Sequence, residues 1–491
     1  MKVKQCVIKQ ILFTILILIL SLINKSVKQE EAVLFVIYIE CIIVSMKGDF
    51  FNIYQIFLFM MFFFNLSIPF FNLFGLYEYP NGYTVLADTG VTLPIKESIM
   101  VESFVVIEIF LLGTSIGWMI WNDNINRDKS SILKDKERAQ SKDVIFKKVF
   151  WQLFKFLWPF EMLYQIIQVY LANKFGYVEV IHLHSVTNSA LSVLEYVDYV
   201  FPIIGTSILF FTNDRKDYIK KSILYVIPYT ILLLTGQRGT GISTILAILF
   251  IYSYLYKKIN IKKVLLCGLV ILFVIIGIGN FRWSRNIQDL IGVNRSLFDS
   301  MINEFVLNSE SFMVIPYTIS LMDKFTNKVP FLFGYIDAIF SFSSNYSIDG
   351  ILNKSYLAQH ITYLLNSSKL LRGSTIGTCI LAEIYEFVHG NLFLILIISI
   401  LLLYFAGVFL RNINRNILFF YFGFSYIQQL FMSPRGSIMK IFNKLSIVYI
   451  LFYFVLCFIR NKKNKLEVYN IILYKFLEIN YYFEYIYSLI F

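Results

Sequence analysis

Charge is in short supply in this chain. Only 15% of its 491 residues are Asp, Glu, Lys or Arg, against roughly 25% in soluble globular domains. With 57% hydrophobic residues and a mean hydropathy of +0.66, it cannot enclose its apolar side chains in one aqueous core. A bilayer must cover most of them. Cysteine is scarcer still, at five residues. Cys6, Cys41, Cys267, Cys379 and Cys457 lie in or beside apolar stretches and make no CxxC pair, so neither a disulfide framework nor a zinc site is indicated. The chain has no Walker A and no Rossmann glycine pattern, so ATP or NAD use has no support. His182 and His184 form an isolated HxH, too few ligands for a metal. No internal repeat is visible, which removes a common pointer to a transporter. The first apolar stretch lacks a small-residue cleavage site and reads as a retained signal anchor.

What the chain does have is a succession of apolar runs of about 17–25 residues, the length that crosses a bilayer. They lie near 10–24, 31–46, 51–74, 99–121, 150–172, 191–212, 222–236, 240–256, 264–280, 389–410, 417–432 and 441–459. The net charge of +12 comes in short runs between these segments, which is the pattern of membrane topology and anionic lipid rather than of a nucleic-acid groove. With both termini in the cytoplasm, every internal segment carries a basic run, among them Arg215 to Lys221 and Lys257 to Lys263. The reading is an all-α integral membrane protein of about twelve transmembrane helices. Residues 1–280 form an N-terminal bundle and 281–381 a large extracytoplasmic loop. Residues 382–460 hold the last spans, and 461–491 an amphipathic cytoplasmic tail. In the loop, SESFMVIPYTISLMD and VPFLFGYIDAIFSF are apolar but short or interrupted by proline. They are expected as interfacial helices on the membrane or over a cavity. No DxD occurs in any outer segment, so a metal-bound nucleotide-sugar donor is not expected.

Five arginines fall on the outer side, against the usual bias: Arg238, Arg282, Arg285, Arg372 and Arg435. A cation kept there calls for an anion. Arg238 lies among Gly236, Gly239 and Gly241 in LLLTGQRGTGIST, where glycines permit a tight turn and close backbone approach. Its planar fork of donors suits phosphate oxygens; anchoring on lipid headgroups is the competing explanation. Arg282 and Arg285 in GNFRWSRN are one helical turn apart and share a face if the helix continues. Arg372 opens the small-residue turn of LLRGSTIGTCILAEIYEFVHGN, in which Glu383 and Tyr385 interrupt an apolar run. An ionisable group at membrane depth is a functional candidate by default. Arg435 sits between Pro434 and Gly436 in MSPRGSIMKIF. Glu102, Glu108, Glu161, Glu195 and Asp198, in or near spans, read as helix-pairing or cavity-lining groups.

TGQRG after a span, FLFGYIDAIF in the loop, GSTIGTCILAEIYEFVHGN before a late span and the single large outer loop together resemble the Wzy-type O-antigen polymerases, the oligosaccharide repeat-unit polymerase family. The likeness runs from Leu232 onward. Val388 and His389 before Gly390 depart from the family's Asn-Phe-Gly-like ending. The resemblance implies a fold similar to GT-C-like polymerases and ligases, and a metal-independent glycosyltransferase without a cofactor in the bacterial cytoplasmic membrane. It would transfer a growing glycan from undecaprenyl pyrophosphate to a new lipid-linked repeat unit. Glu383, Arg238 and Arg435 would then be catalytic, and Arg282, Arg285, Arg372 and Tyr385 substrate-binding. Membrane lipid, a chain-length regulator and a flippase are the partners it suggests, with no nucleic acid. A flippase for the same lipid-linked oligosaccharide and an O-antigen ligase-like transferase remain the alternatives.

Overall fold

The computed structural model describes residues 26–46, 51–79, 94–122, 144–175, 189–235, 238–259, 297–340, 348–371 and 375–461, with a few isolated positions elsewhere. Every regular element among them is helical, as expected where backbone groups must pair within their own segment. Residues 1–443 and 444–491 are two compact units. The first begins with α1 (Val27–Ser45), α2 (Ile53–Met61), α3 (Ser67–Leu73), α4 (Glu97–Asn122), α5 (Val144–Phe175), α6 (Ser189–Phe210), α7 (Arg215–Leu233) and α8 (Arg238–Leu255). Shorter helices follow: α9 (Leu297–Asn308), α10 (Val314–Leu321), α11 (Gly334–Phe340), α12 (Ile348–Leu352), α13 (Leu357–Leu365), α14 (Ser367–Leu371) and α15 (Ile380–Phe387). α16 (Leu392–Asn412) and α17 (Ile417–Met432) close this unit, and α18 (Lys444–Asn461) is the described part of the second.

Local chemistry sets several helix starts. Asn52, Asp214, Asn391 and Asn416 each precede a helix and accept a hydrogen bond from a backbone N–H of its first turn, satisfying donors that the helix itself cannot. Asn52 also donates its Nδ2 to the Ser45 carbonyl at 2.9 Å, tying the end of α1 to the start of α2. Between α2 and α3, Phe62–Leu66 widen into a π turn. Pro69, four residues after Asn65, lacks the N–H that would bond the Asn65 carbonyl, and its ring crowds that position, so the helix loosens there.

The stretches Ile53–Leu73, Glu97–Trp121, Leu392–Asn412 and Ile438–Val455 are long and apolar enough to cross a membrane, and Gly239–Leu255 is a shorter apolar helix. The other expected spans map onto α1, α5, α6 and α7, whose charged residues or prolines break the long apolar window. The run near 10–24 lies largely outside the described residues; the run at 264–280 and the tail from 462 lie wholly outside them. α4 and α16 form the closest helix pair. A Cβ on Gly113 would stand 2.8 Å from the Leu396 carbonyl oxygen, one on Gly117 2.5 Å from that of Ile400, and one on Gly407 would enter the Trp121 ring. The four-residue spacing of Gly113 and Gly117 thus lets two backbones touch, the small-residue seam of membrane helices.

One expectation about the loop changes. Ser309–Leu321 does not lie over the surface: Phe312, Val314 and Ile315 are fully buried and Tyr317 nearly so, with α10 packed on α4, α13 and α15. Its buried hydroxyls are answered inside the protein, Ser311 donating to the Phe64 carbonyl and Thr318 to that of Val314, so the segment can be enclosed without leaving them unpaired.

Candidate functional site

The most informative sequence stretch folds into an elbow. Residues 375–379 have no regular structure, with Gly377 at φ +99°, α15 runs for two turns, and His389 and Gly390 then adopt left-handed backbone, at φ +50° and +73°, before Asn391 caps α16. Gly390 is required twice. Its φ favours glycine, and a Cβ would stand 2.9 Å from the Tyr385 hydroxyl oxygen. A helix of eight residues cannot cross a bilayer, so α15 presents its side chains inside the bundle. Ile380 to Glu386 are all buried.

Three polar side chains of this helix have different tasks. Glu386 is an anchor. Its Oε1 accepts from Asn327 Nδ2 at 2.9 Å and its Oε2 from the Phe331 N–H at 3.0 Å, which fixes the start of FLFGYIDAIF. Tyr385 donates its hydroxyl to Glu102 Oε1 of α4 at 2.6 Å, so its proton is committed within the protein and only an acceptor lone pair is left for a ligand. Glu383, 2% exposed, is the least satisfied. Its Oε1 accepts from Thr378 Oγ1 at 3.0 Å, while Oε2 has no hydrogen-bond partner among the described residues. Burial, only partly offset by Thr378 and by the Ser437 hydroxyl facing it, pushes the Glu383 carboxyl up to about 8.

Arg435 ends a short 3₁₀ turn, Ser433–Arg435, at the C-terminus of α17, and α15 packs against this turn. Its Nη1 donates to Asn308 Oδ1 at 3.2 Å, and the guanidinium lies 5.5 Å from the ring centre of Phe64 in the π turn. The residue is exposed. Gly436, expected to shape this turn, has φ −162°, extended backbone open to any residue. The turn owes its form to Pro434.

Arg238 is the first residue of α8. The glycines around it serve packing. A Cβ on Gly239 would meet Met432 Cε at 2.4 Å, and one on Gly241 would meet Leu233 Cδ2 at 2.7 Å. Met432 is the last residue of α17, so the backbone bearing Arg238 abuts the end of the helix that leads into Arg435. Gln428 Nε2 donates to Thr244 Oγ1 at 2.7 Å and holds the same two helices together. The structure therefore brings the Arg238 turn, the Arg435 turn and the Glu383 helix to one end of the bundle. Arg282, Arg285 and Arg372 lie outside the described residues.

Sequence reasoning missed Thr378, Ser437, Asn308, Phe64 and Glu386. Their signal was present only as polar or aromatic residues near the flagged arginines and Glu383. Among the described residues no group of three or more His, Cys, Asp or Glu is gathered as a metal site.

Across nearly its whole length, residues 6–465, the chain matches the family model described as O-antigen polysaccharide polymerase Wzy. No curated protein and no solved structure matches it.

Proposed function

The chain belongs to the O-antigen polysaccharide polymerase Wzy family, and from that premise we propose that it joins undecaprenyl-pyrophosphate-linked oligosaccharide repeat units at the outer face of the bacterial cytoplasmic membrane. The meeting of the Arg238 turn, the Arg435 turn and the Glu383 helix at one end of the bundle carries this reading. In the reaction, the bond between the anomeric carbon of the growing glycan and the pyrophosphate oxygen breaks. A hydroxyl oxygen of the new repeat unit forms the replacement bond to that carbon. The hydroxyl proton passes to the Glu383 carboxylate, and undecaprenyl pyrophosphate leaves with the bonding electrons.

The parts suit these steps. Negative charge grows on the leaving pyrophosphate, and the guanidinium groups of Arg435 and Arg238 would stabilise it as it forms. Arg282, Arg285 and Arg372 complete the cradle in this reading, with Tyr385 held on Glu102 at its edge. A base is most effective when its pKa lies near the working pH, and a Glu383 carboxyl raised to about 8 meets that condition. The pyrophosphate ester is already activated, so the step uses no ATP, metal or cofactor. About twelve spans with both ends in the cytoplasm put this end of the bundle outside. A flippase that delivers the substrate and a regulator of chain length are the partners such an activity calls for.

Deleting the gene in the host and resolving its surface glycan by electrophoresis tests the assignment. Loss of the polymerase leaves glycan carrying a single repeat unit. Near-complete loss of glycan points instead to a flippase, and an unchanged ladder overturns both readings.

A further inference from the structure

Away from Glu383, the helix pair α5 and α6 contains a polar centre that the reaction above does not use. Gln165, fully buried, donates both amide hydrogens to carboxylates: Nε2 lies 2.8 Å from Glu161 Oε1 on its own helix and 3.0 Å from Asp198 Oδ1 on α6. With those hydrogens spent, its Oε1 can only accept, and this buried atom has no partner among the described residues. Oε2 of Glu161, also fully buried, has only the Asp198 carboxyl group to pair with among the described residues. A buried amide oxygen is thus desolvated and unanswered beside two carboxyl groups, a costly arrangement unless something fills it. Prolines lie close by in both helices, Pro159 in α5 and Pro202 in α6. Pro202 leaves the Asp198 carbonyl without its usual helical donor.

The surroundings narrow what would fill the centre. Glu195, one turn before Asp198, accepts from the Tyr199 hydroxyl at 2.7 Å, and the Tyr196 and Tyr199 rings are exposed. Lys440 lies close enough for its charge to act on Asp198. An anion is disfavoured by three carboxylates, and a metal cation by the lysine charge and by the protons already donated from Gln165. A neutral polyol suits the site. One of its hydroxyls donates to the open amide oxygen, and its ring faces stack on tyrosine. Position supports the same choice. Lys440 is three residues beyond Ser437, which faces Glu383, and both belong to the segment around the Ile438–Ile441 3₁₀ turn. Three residues of such a turn advance about 6 Å, so the two centres flank one turn of backbone.

We infer that Glu161, Gln165 and Asp198 form a saccharide-binding subsite that holds the sugar of the incoming repeat unit, while the arginine side holds its pyrophosphate. This rests on the polymerase reading for the identity of the sugar, but not for the existence of the site. The test uses the full chain in lipid nanodiscs and calorimetric titration with the lipid-free single repeat-unit oligosaccharide released by mild acid from the deletion strain. Wild-type protein binds it. Glu161→Gln and Asp198→Asn, one on each helix and each close to isosteric, weaken it by at least about tenfold, the loss expected for charge-assisted hydrogen bonds. Their affinity for inorganic pyrophosphate stays at the wild-type value. The inference is overturned if wild-type protein binds no free oligosaccharide, or if both variants bind it as tightly as wild type. It is also overturned if sodium ions raise the melting temperature of wild type but not of Glu161→Gln, which makes the centre a cation site. Failure of the polymerase reading shows elsewhere, as an unchanged glycan ladder in the deletion strain.

Discussion

Replacing Arg435 by alanine separates a structural role from a chemical one. In the fold this side chain's contacts include a hydrogen bond to a neutral amide, at 3.2 Å, and a ring contact, at 5.5 Å. The first is worth about 1 kcal/mol, and an exposed cation–ring contact about 0.5–1 kcal/mol. Water replaces part of both, because the residue is exposed. These two contacts together are worth roughly 2 kcal/mol, and the folded protein is expected still to insert. A preorganised donor aimed at developing charge is worth far more to the reaction, on the order of 10²–10³ in kcat. The assay is elongation of purified lipid-linked repeat units by protein in nanodiscs, with products resolved as a ladder over time. The expected result is a fall of about 10²-fold or more in kcat with an unchanged melting profile. Arg435→Lys should recover part of it, since lysine keeps the charge but not the planar fork. Arg238→Ala should fall as far. A kcat for Arg435→Ala within about threefold of wild type would refute the leaving-group argument.

Two further outcomes follow from the geometry. Glu383 titrates at about 8 rather than at its ordinary 4.5, so its base form gains population as pH rises through about 8. The elongation rate should climb through that range and level off above it, and Glu383→Gln should abolish both the activity and the pH limb. The sign for stability is opposite: a carboxyl held neutral by burial contributes fully below about 4.5 and loses that contribution as pH rises toward 8, which thermal unfolding against pH will read. Gly117→Val places a Cβ 2.5 Å from the backbone oxygen of Ile400, where no rotamer change gives relief. A loss of about 1–3 kcal/mol or more should appear as a lower melting temperature in detergent.

Much of the fold could be read from hydropathy alone, because lipid imposes both the length and the pairing rule of a span. The run near 417–432 coincides with α17, and those near 51–74 and 99–121 differ from Ile53–Leu73 and α4 by a residue or two at each end. The apolar window gave α7 a later start than it has. Asp214 caps it ahead of Arg215–Lys221, so its first turns are charged. Ser309–Leu321 was misjudged for a different reason. Short apolar helices bury against neighbours or rest on lipid, and only tertiary packing chooses between them. The candidate site was legible where charge stood out against an apolar background, as at Glu383, Arg238 and Arg435, whose roles remain proposals. Its supporting groups were not, since nothing local distinguishes Thr378 or Asn308 from any other small polar residue. Glycine beside Arg238 suggested a ligand loop, and its steric cause lay in Met432, far away in the chain.

The seam between α4 and α16 bears on how the protein assembles. Its two strips of backbone are separated by nearly three hundred positions of chain, so the early helix must wait in the bilayer, groove open, while most of the polypeptide is translated and threaded. Only when the late helix slots into that groove does the elbow before it settle, with Glu102 on one side to receive Tyr385. A ribosome stalled before the late span should therefore leave an inserted intermediate whose elbow has not formed. Two fragments divided within residues 260–296 and coexpressed should find each other through this glycine track.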